Sequence, residues 1–119
     1  KRSHWQSIAV SACEQSGRSV VPRVSTPLPL VEAVNACSPD GLKLFLDTRN
    51  GRSLKAMDPG ACQLTILIGP EGGFDDGEVT TILESGFESV YLGPRVLRTE
   101  TAALAVLAAV QSLWGDLAR

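Results

Sequence analysis

Several residue types that commonly carry enzyme chemistry are scarce in this chain of 119 residues. Aromatic residues make up only 5% of it, so we expect a core that is largely aliphatic and rich in alanine. The single histidine, His4, and the lack of a G-x-S-x-G sequence argue against a Ser/His/Asp triad. Cys13, Cys37 and Cys62 are widely spaced and contain no C-x-x-C. This spacing argues against a disulfide framework or a zinc site and favours reduced, buried thiols in a cytoplasmic protein.

The chain also lacks a strong charge of one sign and a long apolar run. Eleven Lys and Arg residues against thirteen Asp and Glu residues give a net charge of -2, which argues against binding nucleic acid by charge alone. Most of the basic residues are arginines, which suit bidentate contact with phosphate or a base edge. No apolar run is long enough to cross a bilayer, and we expect no signal peptide. Because the chain opens at Lys1 rather than Met, we expect it to be part of a longer protein.

Two short apolar runs, at residues 66–68 and 90–92, each end abruptly in Gly-Pro. Both runs read as buried strands, because they are short, rich in β-forming residues and bounded by turn residues. Each Gly-Pro turn leads into a helix start, at Asp75 with Glu78 in one case and at Thr99 with Glu100 in the other. Ligands of open α/β sheets bind at the carboxyl ends of the strands. We therefore place the functional site at these two loops.

The remaining pattern predicts alternating helices and strands. We predict helices at residues 3–16, 30–37, 75–85 and 99–114, strands at residues 42–47, 64–68 and 87–92, and a surface loop at residues 48–60. Ser3 with Gln6, and Asp75 with Glu78, are spaced as capping-box pairs. Gly17 and residue 115, also glycine, are placed to end the first and last helices.

Periodicity also predicts which side chains face inward. The predicted inward residues are Trp5, Ile8, Ala9, Ala12 and Cys13 of the first helix, Leu30, Val31 and Val34 of the second, Leu42, Leu44 and Leu46 of the first strand, and Ala103, Val106, Leu107, Val110, Leu113 and Trp114 of the last helix. The last helix is apolar on nearly all its faces. A helix of that kind must be covered on all sides, so we predict that another subunit covers part of it.

The two loops predict a pocket lined by glycine backbone, with one carboxylate, Glu71, and two guanidinium groups, Arg95 and Arg98. Such a pocket suits an adenosine-like ligand held by main-chain contacts. Its aliphatic walls would come from Leu92, Val96 and Leu97. Neither a phosphate-binding P-loop sequence nor G-x-G-x-x-G is present. The alternative is that the loops are two tight turns whose Gly and Pro residues serve packing only.

The two loop sequences, IGPEGGF at residues 68–74 and LGPRVLRTETA at residues 92–102, closely resemble the signature loops of RsmE-type 16S ribosomal RNA methyltransferases. These enzymes belong to the SPOUT superfamily and methylate N3 of a uridine. Residues 5–18, Val21-Pro22 and residues 41–44 also resemble that family. The resemblance covers nearly the whole chain.

The resemblance implies an α/β fold, with a SPOUT-type parallel sheet, helices on both faces and a C-terminal trefoil knot. It implies S-adenosyl-L-methionine as cofactor, 16S rRNA or the small ribosomal subunit as partner, and a homodimer through the C-terminal helix. It implies no membrane and no metal. Family members begin with a PUA-like RNA-binding domain and the first strand and helix of the methyltransferase domain. We find no match to those parts, so residues 1–119 are expected to be a C-terminal methyltransferase domain.

The resemblance also implies roles for individual residues. The cofactor would contact Leu67, Ile68, Gly69, Pro70, Glu71, Gly72, Leu92, Gly93, Val96, Leu97, Arg98, Thr99 and Ala102. Arg18 and Arg95 would bind RNA. As uridine N3 loses its proton, charge spreads onto the neighbouring carbonyl oxygens, where a guanidinium stabilises it. Arg98 is the first candidate for this catalytic role and Arg95 the second. Glu71 would act as the general base or fix its loop by accepting backbone N–H bonds, and we favour the second role.

Two other classes of function remain open at this stage. One is a module that binds a nucleotide or RNA without catalysis. The other is an enzyme acting on a phosphorylated small molecule, which would bind an anion at the helix start near Asp75. The acidic side chains of Asp75 and Asp76 argue against that second alternative.

Overall fold

The computed structural model describes residues 1–47, 51–58 and 63–118. Its α-helices are α1 (Arg2–Ser16), α2 (Leu30–Ala36), α3 (Asp76–Glu84) and α4 (Thr99–Trp114), with short 3₁₀ helices at Leu54–Ala56 and Asp116–Ala118. Its strands are β1 (Leu42–Leu46), β2 (Arg52–Ser53), β3 (Leu64–Leu67) and β4 (Glu88–Tyr91). Cys62, expected to be a reduced thiol, and part of the loop predicted at 48–60 lie outside the described residues.

The four strands form one sheet in the order β2-β4-β1-β3, and every neighbouring pair is parallel. Strand β1 lies between β3 and β4, with Leu44 aligned to Ile66 on one side and to Glu88 on the other. The chain leaves β3 and β4 at the same edge of the sheet, on either side of the end of β1. This order places the two Gly-Pro loops next to each other.

Successive residues of β1 point to opposite faces of the sheet, as expected for a strand buried on both sides. Phe45 is 1% exposed and packs on the face covered by α2 and α3, where it joins the cluster of buried side chains Val34, Ile82 and Phe87. Leu44 is fully buried on the opposite face, in the cluster with Leu54, Met57 and Val90. Ala109, Val110 and Trp114 of α4 pack against that second cluster. The prediction of a parallel sheet with helices on both faces is therefore confirmed.

The capping box predicted for α3 is present. The Asp75 carboxylate accepts a hydrogen bond from the Glu78 N–H (2.7 Å), and the Glu78 carboxylate accepts one from the Asp75 N–H (2.9 Å). These bonds satisfy two backbone donors that a helix start otherwise leaves open. The predicted bounds of α4 are also confirmed, with Gly115 following its last residue.

The capping pair predicted at Ser3 and Gln6 is wrong. Helix α1 begins one residue earlier, after Lys1, and no side chain caps it. The Gln6 amide instead donates to the carbonyl of Pro22 (2.9 Å) and accepts from the N–H of Val24 (2.8 Å). Because these partners lie 16 and 18 residues away, the spacing of Ser3 and Gln6 gave no sign of them. Gly17 ends α1 in a left-handed conformation as predicted, with φ 76°.

Parts of the predicted inward faces are also wrong. In α1 only Cys13 is buried, whereas Trp5 and Ile8 are 43% and 53% exposed, because this helix contacts little of the rest of the described domain. Val31 in α2 is 55% exposed. In α4, Leu107 and Leu113 are exposed, whereas Val106 is buried, and Val110 and Trp114 pack against the sheet as predicted.

The segment at residues 51–58 was predicted to be surface loop, and the structure shows more order there. Arg52 and Ser53 form β2 by pairing with β4, and the following 3₁₀ turn buries Leu54 and Met57. A two-residue strand is too short to show an alternating pattern in sequence, which explains why it was missed.

Candidate functional site

The two Gly-Pro loops enclose one cavity of about 520 Å³ at the carboxyl ends of β1, β3 and β4. Its lining comprises Leu46 and Asp47 at the end of β1, residues 68–74 after β3, Val79 of α3, residues 90–99 from the end of β4 onward, and Ala102 of α4. The prediction that the paired bends lie side by side is confirmed. The cavity forms at this edge because β1 holds β3 and β4 apart by one strand, and both loops rise beside its end.

The loop after β3 is fixed by a turn and by an aromatic contact. The N–H of Gly73 donates to the carbonyl of Pro70 (2.8 Å) and closes the turn around Glu71. The Phe74 ring lies over Gly69, so closely that a β-carbon on Gly69 would be 2.9 Å from the ring. The same ring meets Phe45 edge-on, with centroids 6.3 Å apart, and this contact ties the loop to the buried core.

The loop after β4 depends on a left-handed turn and a hydrogen bond to the other loop. Gly93 has φ 67°, a conformation that residues with a side chain rarely adopt. At the end of this loop, the Thr99 hydroxyl donates to the carbonyl of Gly69 (3.0 Å). The carbonyl of Arg98 accepts the first helical bond of α4, from Ala102 N–H (2.7 Å). The start of α4 is thereby fixed against the loop after β3.

The charged side chains of the cavity stand at its rim. Glu71, Arg95 and Arg98 all line it, and each is exposed to solvent. Deeper in, Leu92 and Leu97 are half-buried and give the cavity aliphatic surface. Asp47, Tyr91 and Thr99 add polar side chains to the lining, beside the backbone of the glycine-rich turns. The arrangement suits a ligand with a flat apolar part held by main-chain groups, beside a rim that attracts an anionic partner.

The structure brings most of the predicted site residues together. Every predicted cofactor-binding residue lines the cavity apart from Leu67, whose side chain packs against the Phe45 cluster. Arg18 does not line it and lies just beyond the end of α1. Sequence reasoning missed Asp47 and Tyr91, which both line the cavity. Tyr91 ends β4 and Asp47 follows the last residue of β1, and this position at the carboxyl ends of the strands is the signal that would have identified them.

Within the described ranges, no group of three or more His, Cys, Asp or Glu side chains is arranged to hold a metal ion. Over the same ranges, no helix combines the length and apolarity needed to cross a bilayer. The described cysteines, Cys13 and Cys37, are free thiols.

The chain is similar to known proteins along nearly its whole length. A family model described as RNA methyltransferase domain matches residues 1–111. A ribosomal RNA small subunit methyltransferase E from Buchnera aphidicola is 32% identical over 116 residues, covering 98% of this chain and 46% of the relative. One of the same name from Synechocystis is 37% identical, covering 95% of this chain and 39% of the relative. The chain thus spans less than half the length of these curated relatives.

A solved structure extends the similarity to three dimensions. The ribosomal RNA small subunit methyltransferase E from Neisseria gonorrhoeae, bound to S-adenosyl methionine, superposes with a TM-score of 0.92 and 41% identity. The match covers 96% of this chain and 48% of the other. With the family model matching all but the last residues, this chain belongs to the RNA methyltransferase domain family.

Proposed function

We propose that residues 1–119 are the C-terminal, S-adenosyl-L-methionine-binding domain of an enzyme that methylates N3 of a uridine in 16S rRNA. The observation that carries the proposal is that the two signature loops enclose a single cavity at the carboxyl edge of the parallel sheet. The 41% identical relative bound to S-adenosyl methionine supports the choice of cofactor. In this proposal the partner is 16S rRNA or the small ribosomal subunit, in the cytoplasm.

The cavity fits this cofactor in size and chemistry. Its volume of about 520 Å³ falls within the range of roughly 300–1,000 Å³ that small-molecule sites occupy. Gly72 and Gly93 line it, and at both the space where a β-carbon would stand is open, so a ligand can approach the backbone. Leu92, Val96 and Leu97 offer apolar surface for the adenosine. When bound, the cofactor supplies a methyl group activated by a sulfonium.

The chain's own residues position the substrate and stabilise charge. Arg98, at the rim directly before α4, is proposed to stabilise the charge that spreads onto the uridine carbonyl oxygens as the N3 proton leaves. Arg95 on the same loop is the second candidate and a proposed RNA contact, together with Arg18. Glu71 is proposed to hold its turn in shape, with a role as general base as the alternative. Correct placement of the base supplies most of the rate in such a transfer.

The finer fold that we propose is a trefoil knot in which the last helix passes through a loop. The hydrogen bond from Thr99 to the Gly69 carbonyl supports it, because it joins the start of α4 to the loop after β3. An experimental chain trace in which α4 lies outside every loop would reject the knot.

We also propose a homodimer through α4. The exposed face of this helix carries Leu104, which is 73% exposed, and Leu107, which is 53% exposed, while Val96 in the preceding loop is 77% exposed. Covering this surface removes apolar area from water. We expect full-length protein to sediment as a dimer and the Leu104→Glu variant as a monomer. The control is Leu83→Glu, at a 50% exposed position of α3, which should stay dimeric. A monomeric wild type would contradict the proposal.

Calorimetry and a methylation assay test the proposed activity together. We expect full-length protein to bind both S-adenosylmethionine and S-adenosylhomocysteine, and to transfer methyl groups to 30S subunits at uridine N3. Cofactor binding without any transfer would favour a binding module instead. Absence of binding to either compound would overturn the proposal.

Variants of Thr99 test whether the affinity for S-adenosylmethionine depends on the geometry of the cavity. Thr99→Val removes the hydrogen bond to Gly69, worth about 0.5–1.5 kcal/mol, and should weaken S-adenosylmethionine binding by roughly two- to tenfold. Thr99→Ser keeps the hydroxyl and should bind as the wild type does. Thr101→Val, at an exposed position of the same helix outside the cavity lining, is the matched control. An unchanged affinity in Thr99→Val would show that this bond does not hold the cavity in shape.

A further inference from the structure

Tyr91 is an aromatic residue that is exposed to solvent and also lines the cavity. It is the last residue of β4, it lines the cavity and it is 43% exposed. The chain has only six aromatic residues, and the other five serve the core or lie away from the rim. Phe45 and Phe87 are buried, and Phe74 packs on Phe45. Trp114, the last residue of α4, packs against the Leu44 cluster, and Trp5 lies on α1.

The described strand neighbours of Tyr91 are polar. On one side, Ser53 of β2 is its register partner. On the other, Leu46 pairs with Val90 and the N–H of Asp47 donates to the Val90 carbonyl (3.0 Å), so Asp47 adjoins Tyr91. Both neighbours are small or charged. Among the described residues, no ring pairs with Tyr91. These strand neighbours therefore do not account for an aromatic residue at this position.

We propose that Tyr91 is a stacking platform for an unpaired nucleobase of the RNA substrate, at the mouth of the cavity. Proteins that read or modify unpaired RNA bases commonly stack them on aromatic side chains, because every base has a π-face. The loop that begins at the next residue carries Arg95 and Arg98, both exposed on the same rim, which supply positive charge for the neighbouring phosphates. The inference rests on the proposed function and assigns a substrate-positioning residue to it.

The neighbours of Tyr91 at the rim favour an RNA base over the cofactor's adenine as the group that stacks. Tyr91 is 43% exposed and lines the cavity together with the exposed Arg95 and Arg98, which suit the phosphates of an RNA strand. A ring at the rim stays open to a partner that arrives from solvent after the cofactor is in place. An RNA substrate is such a partner, because its target base must separate from the neighbouring stacked bases before it can enter the site.

The test is steady-state methylation of 30S subunits by the full-length protein carrying Tyr91→Ala. Loss of one base-stacking contact should raise KM for the subunit by about tenfold. The dissociation constant for S-adenosylmethionine, measured by calorimetry, should be unchanged. Tyr91→Phe keeps the ring and should restore KM to the wild-type value. Leu83→Ala, an exposed apolar residue of α3 away from the cavity, is the matched control and should change neither quantity.

Three results would overturn the inference. An unchanged KM in Tyr91→Ala would show that the ring does not position the substrate. Weaker cofactor binding with unchanged KM would assign the ring to the adenine. An equal loss in Tyr91→Phe and Tyr91→Ala would assign the effect to the hydroxyl. Failure of the proposed function is distinguishable from these, because the wild-type protein itself would then not methylate the subunit.

Discussion

The Arg98→Ala variant of the full-length protein is expected to methylate 30S subunits about 10²–10³-fold more slowly than the wild type, because removing one group that stabilises developing negative charge has an effect of that order. Its affinity for S-adenosylmethionine should be nearly retained, since we propose that the backbone of the glycine-rich turns holds the cofactor more than this exposed side chain does. Single-turnover methylation at saturating cofactor isolates the chemical step, and calorimetry measures the binding.

Two control variants define what Arg98 contributes. Arg98→Lys keeps the charge but loses the planar fork of the guanidinium, so its rate should fall between those of wild type and Arg98→Ala. Arg23→Ala removes an exposed arginine that does not line the cavity and should leave the rate unchanged. Wild-type turnover together with wild-type cofactor affinity in Arg98→Ala would remove this residue from the mechanism.

Phe45→Ala should lower the free energy of unfolding by about 3–5 kcal/mol, the usual cost of truncating a buried phenylalanine. Phe45 is 1% exposed, belongs to the core cluster under α2 and α3, and supports Phe74 edge-on. Urea unfolding followed by circular dichroism measures the change. Because the Phe74 ring lies over Gly69, we also expect the variant to bind S-adenosylmethionine more weakly wherever it remains folded.

Leu83→Ala is the control for this core substitution. Leu83 is 50% exposed on α3, so its truncation should change the free energy of unfolding by no more than about 0.5 kcal/mol. If Phe45→Ala unfolded at the same urea concentration as Leu83→Ala, the Phe45 side chain would not contribute to stability as its burial predicts.

Much of the fold was predictable because its signals are local. The capping box of Asp75 and Glu78 and the Gly-Pro bends each act within a few residues of chain, and the structure has them where the sequence placed them. The parallel sheet was implied by the family resemblance, and short strands alternating with helices agree with it. Leu44 faces one side of the sheet and Phe45 the other, because successive side chains of a strand alternate between its two faces.

The failed predictions concern contacts between distant parts of the chain. Gln6 matched the local capping pattern, yet its amide binds Pro22 and Val24. The apolar stripe of α1 predicted burial for Trp5, but periodicity gives only the side of a helix that is apolar and not whether anything covers it.

The two cavity residues that sequence reasoning missed also depend on contacts between distant parts of the chain. Asp47 and Tyr91 belong to no motif, and they reach the cavity because strand order places the ends of β1 and β4 side by side. That order is decided by the packing of the whole sheet and cannot be read from either segment alone.

The hydrogen bond from Thr99 to the Gly69 carbonyl spans 30 residues and has a consequence for how the protein matures. Arg98, Thr99 and Ala102 belong to the cavity wall, so a nascent chain that stops before α4 carries both bends without the wall between them. Ligand affinity then appears only once that helix has been synthesised and seated. For the proposed methyl donor, an intermediate at an earlier stage of synthesis would lack part of the binding wall, so binding of the donor would report that α4 has been seated.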